Sequence, residues 1–117
     1  MSRLKRILNP ISSTNFLDLI LVRDLLFHLS YSDITRVFKS IARSESKYIL
    51  FTSHTSKVNK NILTGNFREI NFFNEPFNLN EDDVFDRIHE SEDAEGYCNK
   101  ELIFMPVKNL KKNKLLS

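Results

Sequence analysis

Glycine is nearly missing from this chain: only Gly65 and Gly96 occur, far apart in the sequence. A glycine-rich phosphate cradle is thereby excluded, because such loops need several glycines within a few residues for positive φ and close backbone approach. A single cysteine, Cys98, rules out an internal disulfide and any zinc site built on paired cysteines. No apolar run approaches membrane-spanning length, since Leu17 to Leu29 is interrupted by Asp18, Arg23, Asp24 and His28. A secretory signal core is also lacking: the basic start, Met1 to Arg6, runs into Asn9-Pro10 and Ser12-Ser13-Thr14. The cytoplasm is the default compartment, and no membrane is expected as a partner.

Excess charge of one sign is small as well. Seventeen Lys/Arg against fifteen Asp/Glu give +2, too little to argue for nucleic acid as a partner. The distribution is less even than the sum, with eight of the fifteen acids between Glu81 and Glu95 and Lys108, Lys111, Lys112 and Lys114 crowding the C-terminus. Both stretches read first as solvated surface. What is present suffices for one domain: 117 residues, 41% of them hydrophobic, can build a core of modest size.

Residues 1–14 read as a leader, with a short helix around Leu4 to Leu8 ended by Pro10. Phe16 to Val22 is an almost unbroken apolar run, the pattern of a strand covered on both faces in a parallel sheet. Ser30 and Asp33 have capping-box spacing. Ile34, Val37, Phe38 and Ile41 then recur at helical period, and the helix should fade near Ser44 to Ser46. Tyr48 to Thr52 is a second buried strand, so strand, helix and strand form a βαβ unit with a right-handed crossover. From Ser53 to Asp83 seven asparagines, Gly65 and Pro76 mark a long loop set with Phe67, Phe72, Phe73 and Phe77, the composition of a binding loop or lid. Val84 to His89 and Leu102 to Val107 read as a C-terminal antiparallel hairpin around Gly96, with Pro106 at a strand end or open edge, and the remainder frays. The expected fold class is α/β, a partial Rossmann-like sheet of two parallel strands with a crossover helix, the long loop and the hairpin. The domain spans 15–107, with 108–117 as a basic tail.

Three groups of residues could carry chemistry. Arg23, Asp24 and His28 emerge at the carboxyl end of the first strand, where open α/β sheets place ligands. A carboxylate and an imidazole there could act as base, proton shuttle or anchor, or the three could be a surface ion pair and a turn-orienting histidine. Asn61 to Asn71 is the second group: Thr64-Gly65 suits a turn with positive φ, Arg68 offers a planar fork for a carboxylate, and Asn71 can donate and accept. It reads equally as a lid facing Arg23 and Asp24 or as a loop pinned by Phe67 and Phe77. Third, His54 follows Thr52-Ser53 at the same edge and by itself reads as a loop histidine. His28, His54 and His89 lack metal-ligand spacing, and the acids flanking Cys98 disfavour its thiolate.

Asp18-Leu-Ile-Leu-Val-Arg-Asp-Leu-Leu-Phe-His-Leu-Ser30, followed by Lys47-Tyr-Ile-Leu-Phe-Thr-Ser-His54, resembles the later half of class I S-adenosylmethionine-dependent methyltransferases, from their fourth strand into their fifth. Thr64-Gly-Asn-Phe-Arg68, Asn71 and Pro76-Phe-Asn-Leu79 are similar to a motif of one bacterial-type subgroup. The resemblance covers roughly residues 16–107 and implies methyl transfer from S-adenosylmethionine to an acceptor of unspecified class, a small molecule among the options. It implies Asp24 and His28 as catalytic residues, Arg23 beside the cofactor, and His54, Thr64, Arg68 and Asn71 around the acceptor. The glycine-rich turn and the acidic residue with which these enzymes hold the cofactor are not found here. The expectation is a C-terminal portion, inactive alone, whose first strand has an unpaired edge that a chain supplying the N-terminal half could cover. A non-catalytic module pairing through that edge is the alternative.

Overall fold

The computed structural model describes residues 18–90 and 99–117. Four strands, β1 (Leu19–Val22), β2 (Tyr48–His54), β3 (Asp86–His89) and β4 (Lys100–Pro106), form one mixed sheet in the order β1-β2-β4-β3. β1 and β2 pair in parallel, while β4 is antiparallel to both β2 and β3. β3 therefore runs in the same direction as β1 and β2. The carboxyl ends of these three strands share one edge of the sheet with the start of β4, and β1 is paired on one side only among the described residues.

Helix α1 (Tyr31–Arg43) is the crossover between the parallel strands. Its start follows from the capping box, since the Ser30 hydroxyl accepts the Asp33 amide at 3.1 Å. Its apolar stripe buries Ile34, Phe38 and Ile41 against Val22, Ile49, Phe51, Ile103 and Met105 of the sheet. The core between them is aromatic, with Phe38–Phe51 and Phe51–Phe72 ring pairs at 5.2 and 5.3 Å in edge-to-face geometry. Each of these fully buried rings contributes about 2 kcal/mol from burial. The opposite face of the sheet carries Leu19, Leu50, Ile88 and Leu102, also buried.

The α/β class and the parallel pair agree with expectation, and several boundaries move. β2 continues through His54, which is a strand residue and not a loop histidine. β3 begins at Asp86, two residues late, and β4 begins at Lys100 and ends on Pro106, where a missing N–H costs no interior ladder bond. Residues 108–117 do not fray. A short helix, α2 (Val107–Leu110), leads into turns that bury Leu110 and Leu116 completely, and Asn113 Nδ2 donates to the Phe77 carbonyl at 2.7 Å. The leader, Phe16, Gly96 and Cys98 lie outside the described residues. Among those described, no helix is long and apolar enough to cross a membrane.

Candidate functional site

The carboxyl edge of the sheet gathers charge from three of its four strands. Arg23 and Asp24 follow β1, Glu90 follows β3 and Lys100 opens β4. They form a chain of alternating sign: Glu90 Oε2 to Arg23 Nη2 at 3.1 Å, Arg23 to Asp24 at 3.8 Å, and Asp24 Oδ1 to Lys100 Nζ at 3.2 Å. The hydrogen bond and the charge of Glu90 push the Arg23 guanidinium pKa up. Asp24 sits in the left-handed region at φ 56°, and its amide donates to Thr52 Oγ1 at 2.9 Å, which fixes the turn out of β1. Glu90 is buried, and its second oxygen, Oε1, has no hydrogen-bond partner among the described residues. A buried acceptor left in this state costs about 1–3 kcal/mol.

Beside this chain stands the ring of Phe27, in the 3-10 turn Leu26–His28 after β1. His28, His54 and Phe67 lie around it at centroid distances of 4.6, 5.4 and 5.4 Å, and Lys100 Nζ is 5.6 Å from its centre. The two histidines are held in opposite tautomers. His28 Nδ1 lies 3.0 Å from the Asn66 carbonyl, which can only accept, so Nδ1 carries the proton and Nε2 of the neutral ring keeps its lone pair. His54 Nδ1 instead accepts the Ile70 amide at 3.1 Å, leaving its proton on Nε2. Burial lowers the His54 pKa, outweighing the attraction of Glu69. His28 is the exposed ring of the two, and burial disfavours the charged form of His54.

The Asn61–Asn71 stretch is laced onto this edge rather than hinged over it. Arg68 is 3% exposed, and its fork faces carbonyls, with no carboxylate on it among the described residues. Nε donates to the Lys60 carbonyl at 3.0 Å, Nη1 to Leu26 at 3.2 Å and Nη2 to Leu29 at 2.7 Å, with the guanidinium over the Tyr31 ring. Burial pushes its pKa down. Thr64 Oγ1 accepts the Ser30 amide at 3.0 Å and donates to Asp33, so the hydroxyl is part of the α1 cap. Asn61 Oδ1 takes the Tyr31 amide. Asn71 is buried, its Nδ2 on the Ser56 carbonyl and its Oδ1 on the Phe73 amide. Gly65, at φ 104°, makes the turn expected of it and donates its amide to the His28 carbonyl.

Arg23, Asp24, His28 and His54 are thus brought to one edge, while the polar groups of Thr64, Arg68 and Asn71 are consumed in holding backbone. The fork expected to meet a carboxylate is closed by carbonyls. Sequence reasoning did not select Glu90, Lys100 or Phe27. Glu90 joins the site because β3 runs parallel to β1, Lys100 because β4 runs antiparallel to β2, and Phe27 was one apolar residue among several. Among the described residues no group of His, Cys, Asp and Glu could hold a metal ion. Chemically, the edge offers a carboxylate, an exposed imidazole with a free lone pair and two cations, of which Lys100 lies over the Phe27 ring. That set could anchor an anionic or polar substrate and accept a proton from it. No family model, curated protein or solved structure matches the chain.

Proposed function

We propose that the chain is the C-terminal portion of a class I S-adenosylmethionine-dependent methyltransferase, supplying the acceptor side of a cleft and inactive alone. The observation that carries the reading is β1: an apolar strand parallel to β2 through α1, with Arg23, Asp24 and His28 at its carboxyl end and its outer edge unpaired among the described residues. The rest of the sheet is in keeping. Two parallel strands, then a reversed strand inserted beside a third parallel one, is the closing half of the Rossmann-like sheet that the resemblance implies.

The residues present do not fit S-adenosylmethionine by themselves. The strand-to-helix turn after β1 has no glycine, and at the start of α1 the amides of Ser30, Tyr31 and Asp33 are already taken by Thr64, Asn61 and Ser30. Arg23 and Asp24 are engaged in ion pairs. What its residues do is orient and neutralise: the Glu90–Arg23–Asp24–Lys100 chain fixes the Asp24 carboxylate, and Asn66 fixes the proton-accepting face of His28.

Calorimetric titration of the chain with S-adenosylmethionine tests the reading. No saturable heat is expected, and a micromolar Kd would show that the cofactor is held without a glycine-rich half, ending the proposal. A second reading, a non-catalytic module that pairs through β1, draws on Leu21, which is 52% exposed on that edge strand. Size-exclusion chromatography with light scattering separates the two, because a stable monomer at all concentrations removes edge-driven pairing.

A further inference from the structure

At the opposite edge of the sheet a cavity of about 360 Å³ opens between the end of α1, the start of β2, the end of β4 and α2. Its size is at the lower end of small-molecule sites. Phe85 and Tyr48 wall it with aromatic surface, and Lys47, Lys108 and Lys111 line it with the Ser46 hydroxyl; the described lining residues include no acid. Two features of this wall are unusual for plain surface. Phe85 is 60% exposed yet not loose, since its ring packs at 5.5 Å from Phe104 and 6.2 Å from Tyr48. An exposed ring held in place by other rings loses little entropy when something stacks on it. The three lysines, moreover, have no ion pair among the described residues, while the nearby carboxylate of Asp83 is taken by Lys112 at 3.2 Å. Three uncompensated cations around one cavity repel each other and gain from an anion of more than one charge.

We propose that this cavity binds a nucleoside phosphate, with the base stacked on Phe85 and the phosphate held by Lys47, Lys108 and Lys111. A phosphate monoester carries nearly two negative charges at neutral pH and takes lysine as a point-charge partner. A planar heterocycle can stack on the exposed surface of the Phe85 ring. The cavity and the carboxyl edge are at opposite ends of the strands, so this site stands or falls independently of the methyltransferase reading.

Calorimetric titrations of the full chain with AMP, adenosine and inorganic phosphate test it, joined by a short 5′-phosphorylated oligonucleotide. AMP is expected to bind saturably, with adenosine and inorganic phosphate each at least about ten-fold weaker. Phe85→Ala should reduce AMP to the level of inorganic phosphate. Joint Lys108→Glu and Lys111→Glu should reduce it to the level of adenosine, with the Tm of both variants checked for retained folding. An oligonucleotide tighter than AMP supports the site and assigns the end of a nucleic acid as the source of the ligand. A weaker one supports it and assigns the free nucleotide. The proposal is overturned by the absence of saturable AMP binding, by inorganic phosphate binding as tightly as AMP, or by folded variants that bind AMP like the parent.

Discussion

The two edges of the sheet treat charge in opposite ways. At the carboxyl edge Glu90, Arg23, Asp24 and Lys100 alternate in sign and touch in sequence, and the adjoining loop spends its polar side chains on backbone amides and carbonyls. At the amino edge Lys47, Lys108 and Lys111 face a cavity with no ion pair among the described residues. Exposed ion pairs contribute little to stability, and their value lies more in fixing where a charge points. The carboxyl edge is therefore an electrically balanced frame with the exposed ring of His28 beside it. At the amino edge three lysines around one cavity have no ion pair among the described residues, which leaves them available to an anion.

The largest expected effect comes from removing the cation that closes the first edge. Arg68→Met removes the side-chain donors of the Lys60 and Leu29 carbonyls and one of the two donors of Leu26, and should destabilise the fold by about 3 kcal/mol. That corresponds to a Tm lower by about 10 °C in a domain of this size. Arg68→Lys should recover little, because one ammonium cannot replace a planar fork spread over three carbonyls. A Tm within about 2 °C of the parent in both variants would make Arg68 a ligand clamp after all and dissolve the contrast between a committed edge and an uncommitted one.

That contrast is legible in the sequence only where the signal is local. Ser30 and Asp33 gave the start of α1, and the apolar spacing of Ile34, Phe38 and Ile41 gave its buried face, because capping and helical period involve neighbours in the chain. The 48–52 run likewise marked a buried strand, whereas in the 16–22 run the described strand is Leu19–Val22 and exposes Leu21. The roles of Arg68 and Asn71 were not legible. A guanidinium that suits a carboxylate suits three carbonyls equally well, and the partners lie up to 42 residues away. Seven asparagines looked like loop composition, whereas Asn59, Asn71 and Asn74 form the internal wiring that holds the loop to the end of β2. Glu90 and Lys100 reach Arg23 and Asp24 through strand order, which no periodicity encodes. The C-terminal lysines looked like a solvated tail because nothing local says that Leu110 and Leu116 reach the core.

A smaller effect separates the edges by pH. Burial lowers the pKa of His54 below its ordinary value of 6.5, so the unfolded chain takes up a proton that the folded one resists. The sign follows: this contribution is complete above the ordinary histidine range and is lost as the pH falls through 6.5 and below. Protonation also removes the Nδ1 lone pair that accepts the Ile70 amide. Urea unfolding should show up to about 1 kcal/mol lost per pH unit in that window. His54→Asn, which keeps an acceptor near the Nδ1 position, should flatten the slope. An unchanged slope in that variant would trace the acid sensitivity to another group.

The smallest effect is the most direct comparison of paired with unpaired charge. Arg23→Gln leaves Glu90, whose side chain is only 9% exposed, without its cation and with its other oxygen already unpartnered among the described residues. Because Arg23 itself is 45% exposed, the expected loss is only about 1 kcal/mol. Joint Lys108→Gln and Lys111→Gln removes two cations that make no ion pair among the described residues, so stability should stay within about 0.5 kcal/mol. The small change should be a gain at low ionic strength, where repulsion among the lysines is least screened, and should vanish at 1 M salt. Chemical denaturation at both ionic strengths reads the difference. A clear loss for the glutamine pair would mean that the lysines are structurally employed, and the amino edge would then be no freer to take up an anion than the carboxyl edge.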